Sequence, residues 1–305
     1  MELRQLRYFT AIARTGSFST AAAGEFVVQS ALSQQLRKLE DELGVRLFDR
    51  TTRSVRLTQA GAQLLPFAER VLSDVGLLAA EADALRGVVR GNIAVGMMEC
   101  PPLTLDMAVL LRDFHAQHPG VEVALRSGGS DRMLDEVRTA RLELAILGLP
   151  PKPLPAKLFA HHLLSEDLVG LVHRHDDLPA RVAAAELADA TFIDFPPGYG
   201  LREQVDHCFA GAGVSRRVAF EVVRVEEMVR FAALGLGLAI LPRSIAQAAA
   251  GRDDGPRMLE ITGADLRRSV ALVHRHDGPA APAARAFFDF VMALPQAAGS
   301  SSAPT

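Results

Sequence analysis

Leu32, Leu36, Leu39 and Leu43 recur at intervals of four, three and four, which places them on one face of a helix, while Gln29, Ser30, Ser33, Gln34 and Arg37 fall on the opposite face. A chain with this segment must bury the leucine stripe against neighbouring elements and leave the amides, hydroxyls and guanidinium outward. Gln and Arg can pair in bidentate fashion with base edges, and Ser can serve base or phosphate, so these are the side chains a helix needs in a DNA major groove. A plain surface helix has the same period, although it usually carries Glu and Lys outward. On this helix alone both readings remain open.

The flanking residues favour the first. Gly16, Ser17, Phe18, Ser19 and Thr20, followed by Ala21, Ala22 and Ala23, read as a turn, a Ser cap and a helix of small residues, the first half of a helix-turn-helix. Downstream, Leu47 to Arg50 and Ser54 to Thr58 alternate around Thr51, Thr52 and Arg53, the pattern of a small hairpin. Arg50, Arg53 and Arg56 fall on its tip and outer face, within reach of phosphates or a minor groove. Residues 1 to 60 hold nine Lys or Arg against six Asp or Glu, so the overall charge of −3 conceals a basic head on an acidic body.

These motifs resemble the LysR-type transcriptional regulators, and the likeness runs from Leu3 to about residue 295. Its most specific phrases are Gln29-Ser30-Ala31-Leu32-Ser33, the run from Leu39 to Phe48, and Leu57-Thr58-Gln59-Ala60-Gly61. The resemblance implies DNA contacts by Gln29, Ser30, Ser33, Gln34 and Arg53, to which the residue pattern adds Arg37, Arg50 and Arg56. It also implies the fold class: α/β, with an all-α winged helix-turn-helix domain at the N-terminus, a long linker helix, and a two-lobed effector domain similar to periplasmic solute-binding proteins. Two positions depart from the family pattern. Glu25 stands where a Leu is usual, and Val28 where a Ser or Thr caps the reading helix. Loss of such a cap costs roughly 1 kcal/mol, so Ser30 is expected to cap a slightly shortened helix.

From Thr58 a cap and helix-forming residues lead into a segment in which Leu64, Ala68, Val71, Val75, Leu78, Ala82 and Leu85 alternate by four and three. Such a seam needs a partner helix. It predicts self-association through Leu64, Val71, Val75, Leu78 and Leu85, with Pro66 bending the helix. An amphipathic helix lying on its own domain is the competing reading. Paired reading helices imply partly palindromic promoter DNA. The family resemblance adds a homotetramer and, as a further partner, RNA polymerase.

After Gly91 apolar strands alternate with helices. Strands are expected at 92–97, 121–125, 144–147, 167–173, 191–195, 218–222, 238–241 and 269–274. Helices are expected at 103–115 and 132–140, from Leu201, Glu226 and Ser244, and at 282–294. The expected organisation is a DNA-binding domain at 1–58, a linker helix at 59–88 and an effector domain at 89–295. Within the last, lobe I takes 89–161 and 269–295 and lobe II takes 162–268, with a disordered tail at 296–305. The lobes would be joined by crossings near Ala160 to Ser165 and Arg267 to Ala271. Parallel sheets present ligands at the carboxyl ends of their strands. The candidate effector residues are therefore Met98, Glu99 and Cys100; Ser127, Gly128 and Gly129; Leu147 and Gly148; Gly198, Tyr199, Gly200, Leu201 and Arg202; and Arg224. Family members often place Ser or Thr where this chain has Met98 and Glu99. Glu99 would repel an anion unless protonated or paired, with Arg224 or Arg126 as candidate partners, so the ligand is expected to be neutral, cationic or largely apolar.

Cys100 and Cys208 are far apart and lack metal spacing, so they read as buried reduced thiols. The peroxide-sensing branch of the family keeps its reactive Cys in the loop that here reads Gly198-Tyr199-Gly200. The run from Leu171 to Asp176, Leu-Val-His-Arg-His-Asp, recurs at Leu272 to Asp277; two His-x-His pairs could share a metal if they met, but solvated strand exits are the simpler reading, and no metal or other cofactor is expected. A leader and a long apolar run are both lacking, which points to the cytoplasm and away from the membrane. Two rival readings are a two-lobed small-molecule-binding protein and an α/β enzyme. The basic head argues against the first. The second lacks a Gly-x-Ser-x-Gly elbow, a phosphate loop with Lys and a compact metal triad.

Overall fold

The computed structural model describes residues 1–51, 54–275 and 277–294, and the chain divides into two compact units, Met1–Arg86 and Gly87–Thr305. Arg53, His276 and the 296–305 tail lie outside the described residues, as does the Arg50 side chain.

The first unit holds α1 (Leu3–Thr15), α2 (Phe18–Gly24), α3 (Gln29–Leu43), a hairpin of β1 (Phe48–Thr51) and β2 (Ser54–Leu57), and α4 (Gln59–Ala84). Gly16 and Gly44, at φ 63° and 68°, end α1 and α3 in the left-handed conformation that glycine adopts most readily. Ser17 Oγ accepts from Thr20 N at 3.3 Å and starts α2. Leu32, Leu36 and Leu39 are fully buried against Phe9, Ile12 and Phe48, whereas Leu43, at the end of the stripe, is 39% exposed. The reading helix is not shortened. It begins at Gln29 behind Val28, without a side-chain cap, so Ser30 lies within the first turn rather than ahead of it.

Gly61 explains the Leu57 to Gly61 motif. A Cβ there would fall 2.1 Å from the Leu47 carbonyl oxygen, so only glycine lets α4 start against the segment that leads into the hairpin. Thr58 fixes the same corner by donating to Arg46 O at 2.6 Å and accepting from Gly61 N at 2.9 Å.

The second unit contains β3 (Gly91–Met98), α5 (Met107–Gln117), β4 (Val121–Gly128), α6 (Ser130–Arg138), β5 (Leu144–Gly148), β6 (Leu158–Val172), β7 (Arg181–Ala183), β8 (Thr191–Asp194), α7 (Gly200–Gly211), β9 (Arg217–Glu221), α8 (Val225–Ala233), β10 (Leu238–Pro242), α9 (Arg243–Ala250), β11 (Arg257–Thr262), β12 (Arg267–Arg275) and α10 (Pro282–Met292). The strand order is β4-β3-β5-β12-β6-β10-β8-β9, with β11 beside β6 and β7 beside β11. In lobe I, β4, β3 and β5 are parallel; in lobe II, β10, β8 and β9 are parallel. Two long antiparallel strands join the lobes. The first part of β6 pairs with β12 from Leu158 to Asp167, and its last part pairs with β10 and β11 from Leu168 to Val172. Each lobe closes its own core, around Phe114, Ile146 and Phe287 in lobe I and Phe192, Phe209 and Leu241 in lobe II.

Three local expectations need correction. The helix expected from Leu103 starts at Met107, because the Asp106 carboxylate accepts from Ala108 N and Val109 N and fixes the first turn there. The strand expected from Asp167 begins at Leu158, since it continues through the lobe crossing. Strands β7 and β11, which carry no clear alternation, are additional to the expected set.

Candidate functional site

Two surfaces carry chemistry, one in each unit. On the first, Gln29, Ser30, Gln34 and Arg37 are exposed and Ser33 is half-exposed along one side of α3. Their backs are the buried leucines, so the polar face is held in place by the core beneath it. Arg56 is exposed on β2, where it pairs in register with Asp49 of β1. Two apolar side chains unmarked by the helical period flank the start of α3: Phe26 is 96% exposed at φ 56°, and Val28 is 68% exposed. The α4 seam divides. Leu64 and Ala68 pack on the head's own core, which corrects Leu64 as a residue held open for a partner, whereas Val71, Val75, Leu78 and Leu85 remain exposed.

In the second unit, strand ends and helix starts from both lobes frame a narrow cavity of about 20 Å³. Lobe I supplies Met98, Glu99 and Cys100 after β3, Gly128 and Ser130 at the start of α6, and Gly148 at the end of β5. Lobe II supplies Phe195, Tyr199, Gly200 and Leu201, and Arg268 comes from the crossing strand β12. Most of the expected strand-end residues therefore converge, and the others have identifiable places elsewhere. Ser127 is exposed on β4, and Leu147 is fully buried in the sheet. Gly129 and Gly198 form the contact between lobes: a Cβ on Gly129 would lie 2.8 Å from Gly198 O, which accepts from Asp131 N at 3.1 Å. Arg202 turns away to Asp206 at 2.7 Å and Phe195 O at 2.9 Å. Arg224 is exposed ahead of α8, 4.0 Å from Glu226, so it does not pair with Glu99.

Ser130, Phe195 and Arg268 line the cavity without having been expected. Ser130 Oγ accepts from Gly200 N at 3.1 Å and lies 3.3 Å from Gly148 O, to which it donates, tying the start of α7 to lobe I. Arg268, with 2% of its side chain exposed, donates to Glu166 Oε2 through Nε at 3.2 Å and Nη2 at 2.8 Å, and to Cys100 O through Nη1 at 2.8 Å. Ser244 Oγ donates to the other Glu166 oxygen. Outside the cavity Lys152 Nζ bridges the lobes, 2.8 Å from Asp131 and 3.0 Å from Glu203.

The thiols are not activated. Burial pushes Cys100 up to about 11, with Arg268 opposing it, and Cys208 is also raised by burial while its Sγ donates to Asp265 O at 2.9 Å. A shared metal site is ruled out by register. His274 pairs with Phe159 near the start of β6, whereas His173 follows its end, fourteen residues or roughly 45 Å along an extended strand. His274 instead meets His161, Nε2 to Nε2 at 2.8 Å.

Residues 3–62 match the family model described as bacterial regulatory helix-turn-helix protein, lysR family, and residues 67–295 match the LysR substrate binding domain. The chain belongs to the LysR family. LysR-type regulators are DNA-binding transcription factors with an effector-binding domain, and that is the class of protein described here. Among its LysR relatives, the regulator IlvR of Caulobacter vibrioides is 32% identical over 80% of this chain and 83% of its own length. The RuBisCO operon transcriptional regulator of Allochromatium vinosum is 27% identical over 96% of each. Among solved structures, full-length CbnR in complex with its target DNA has a TM-score of 0.63 and 26% identity over 96% of this chain and 99% of its own. Among the described residues, no helix is long and apolar enough to cross a membrane.

Proposed function

We propose that this LysR-type regulator acts in the cytoplasm as a homodimer, assembling further to a homotetramer, on partly palindromic promoter DNA. Residues 1–58 bind DNA, 59–88 pair the chains, and lobes I and II of 89–295 close on a small effector. The observation that carries the reading is the outward row of Gln29, Ser30, Ser33, Gln34 and Arg37 above buried leucines. These side chains select bases, while Arg56, with Arg50 and Arg53 of the same hairpin, neutralises phosphates. The CbnR complex with target DNA supports this use of the head. Effector binding in the cavity shifts the population of lobe geometries held by the Ser130–Gly200 and Lys152 contacts, and the paired α4 helices pass that shift to the spacing of the heads. RNA polymerase is the partner through which a bound regulator changes transcription.

Arg56→Ala tests the phosphate assignment. Affinity should fall on operator and unrelated duplex alike, and the slope of log affinity against log salt should become shallower by about 1.8 for a dimer that loses one phosphate contact from each chain. An unchanged slope would remove Arg56 from the interface.

A further inference from the structure

We propose that the inter-lobe cavity selects a ligand bearing a protonated amine on a small aromatic or apolar body, with the ammonium seated on the Glu99 carboxylate. The proposal rests on the reading of this cavity as the effector site and adds the chemical class of the effector.

The charge balance of the wall carries the argument. Glu99 lines the cavity, and among the described residues its carboxylate has neither a hydrogen bond nor an ion pair. The guanidinium in the wall, Arg268, is engaged: Glu166 cancels its charge, and its Nε, Nη1 and Nη2 all have acceptors. The cavity therefore carries one uncompensated negative charge. A ligand that closes the lobes removes water from that carboxylate, which is costly unless the ligand supplies the counter-charge.

The groups that would hold an anion are already bound to each other. Gly200 N at the start of α7 donates to Ser130 Oγ, which donates to Gly148 O, and Asp131 N at the start of α6 donates to Gly198 O. Lys152 and Arg132, outside the wall, are also matched. Lys152 sits on Asp131 and Glu203, and Arg132 Nε lies 2.9 Å from Glu136.

The rest of the wall suits an apolar body. The Phe195 and Tyr199 rings stack 5.2 Å apart at 10°, and Met98 and Leu201 complete the surface. Burial first, and then Glu99, raise the Tyr199 hydroxyl above its ordinary value, so that hydroxyl stays neutral and its ring face can also attract a cation. With the lobes in contact the cavity, about 20 Å³, has room for little more than a water, so a ring with a short chain enters only as the lobes part.

Three matched probes test this with the full chain by calorimetry: benzylamine, benzyl alcohol and benzoate. Benzylamine should bind at least tenfold more tightly than benzoate. Glu99→Gln should lower benzylamine affinity by about tenfold, to the level of benzyl alcohol, and leave benzyl alcohol unchanged. Benzoate binding more tightly than benzylamine, or full benzylamine affinity in Glu99→Gln, overturns the amine assignment while leaving the cavity as an effector site. Gly148→Leu separates the two ideas, because a Cβ at Gly148 meets nothing within 4 Å and the side chain would fill the cavity. Probe binding that survives Gly148→Leu, or no binding by any of the three, overturns the effector site and the amine assignment together.

Discussion

Replacing Val71 and Leu78 together by glutamate is expected to reduce the solution mass to that of a single chain and to lower operator affinity by about 10²-fold or more. Both side chains belong to the four-and-three seam of α4, and they are 40% and 72% exposed, with Leu85 at 85% beyond them. An apolar row of this kind on a 26-residue helix has no reason to face water unless a second helix covers it. Two glutamates from each chain would then meet across the pair, desolvated and of like charge. Operator affinity follows because two linked heads bind paired half-sites with an avidity of roughly 10²–10⁴ over one head. The head should keep its fold, since Leu64 and Ala68 anchor α4 to it and are left intact. An unchanged mass would show that the seam is not the contact, and a single-chain mass with unchanged affinity would show that pairing is not needed on DNA.

The second large effect is expected at Glu166. Substitution by alanine leaves the Arg268 guanidinium, with only 2% of its side chain exposed, without a counter-charge, and removes the acceptor of Ser244 Oγ. Breaking a buried pair from one side costs about 3–5 kcal/mol, much more than the net worth of the intact pair. Urea unfolding of the second unit should register that loss. The double variant Glu166→Leu with Arg268→Met should recover most of it, because it removes the stranded charge as well. A loss below about 1 kcal/mol for the single variant would mean that water or a neighbouring group takes over the role of Glu166.

The same pair marks the limit of what the sequence makes legible. The reading face was readable because a helix writes its two sides into one short stretch, and Leu32, Leu36 and Leu39 fix the side on which Gln29 and Gln34 must lie. The strand-end loops were readable for a similar reason, since parallel strands followed by helices place Glu99, Gly148 and Tyr199 at one edge. Glu166 and Arg268 are 102 residues apart and meet only because β6 and β12 align in antiparallel register, which no local pattern announces. Arg202 misled for the opposite reason. It stands in the expected loop, but the acidic side chains of Asp206 and Glu221 draw it to the outer side. Ser130 could have been found, because a hydroxyl at the first turn after Gly128 and Gly129 is placed to meet the opposing helix start. Val28 shows that a well-packed helix can begin without its expected cap when its buried face holds it.

Selection of bound sequences from a random duplex pool by the parent chain and by Gln29→Ala tests the reading role of α3. The parent should enrich a partly palindromic motif, and the variant should show a relaxed preference at one symmetry-related pair of positions with the rest of the motif retained. An identical motif for both proteins, or no enriched motif for the parent, would contradict the assignment of α3 as the element that reads DNA.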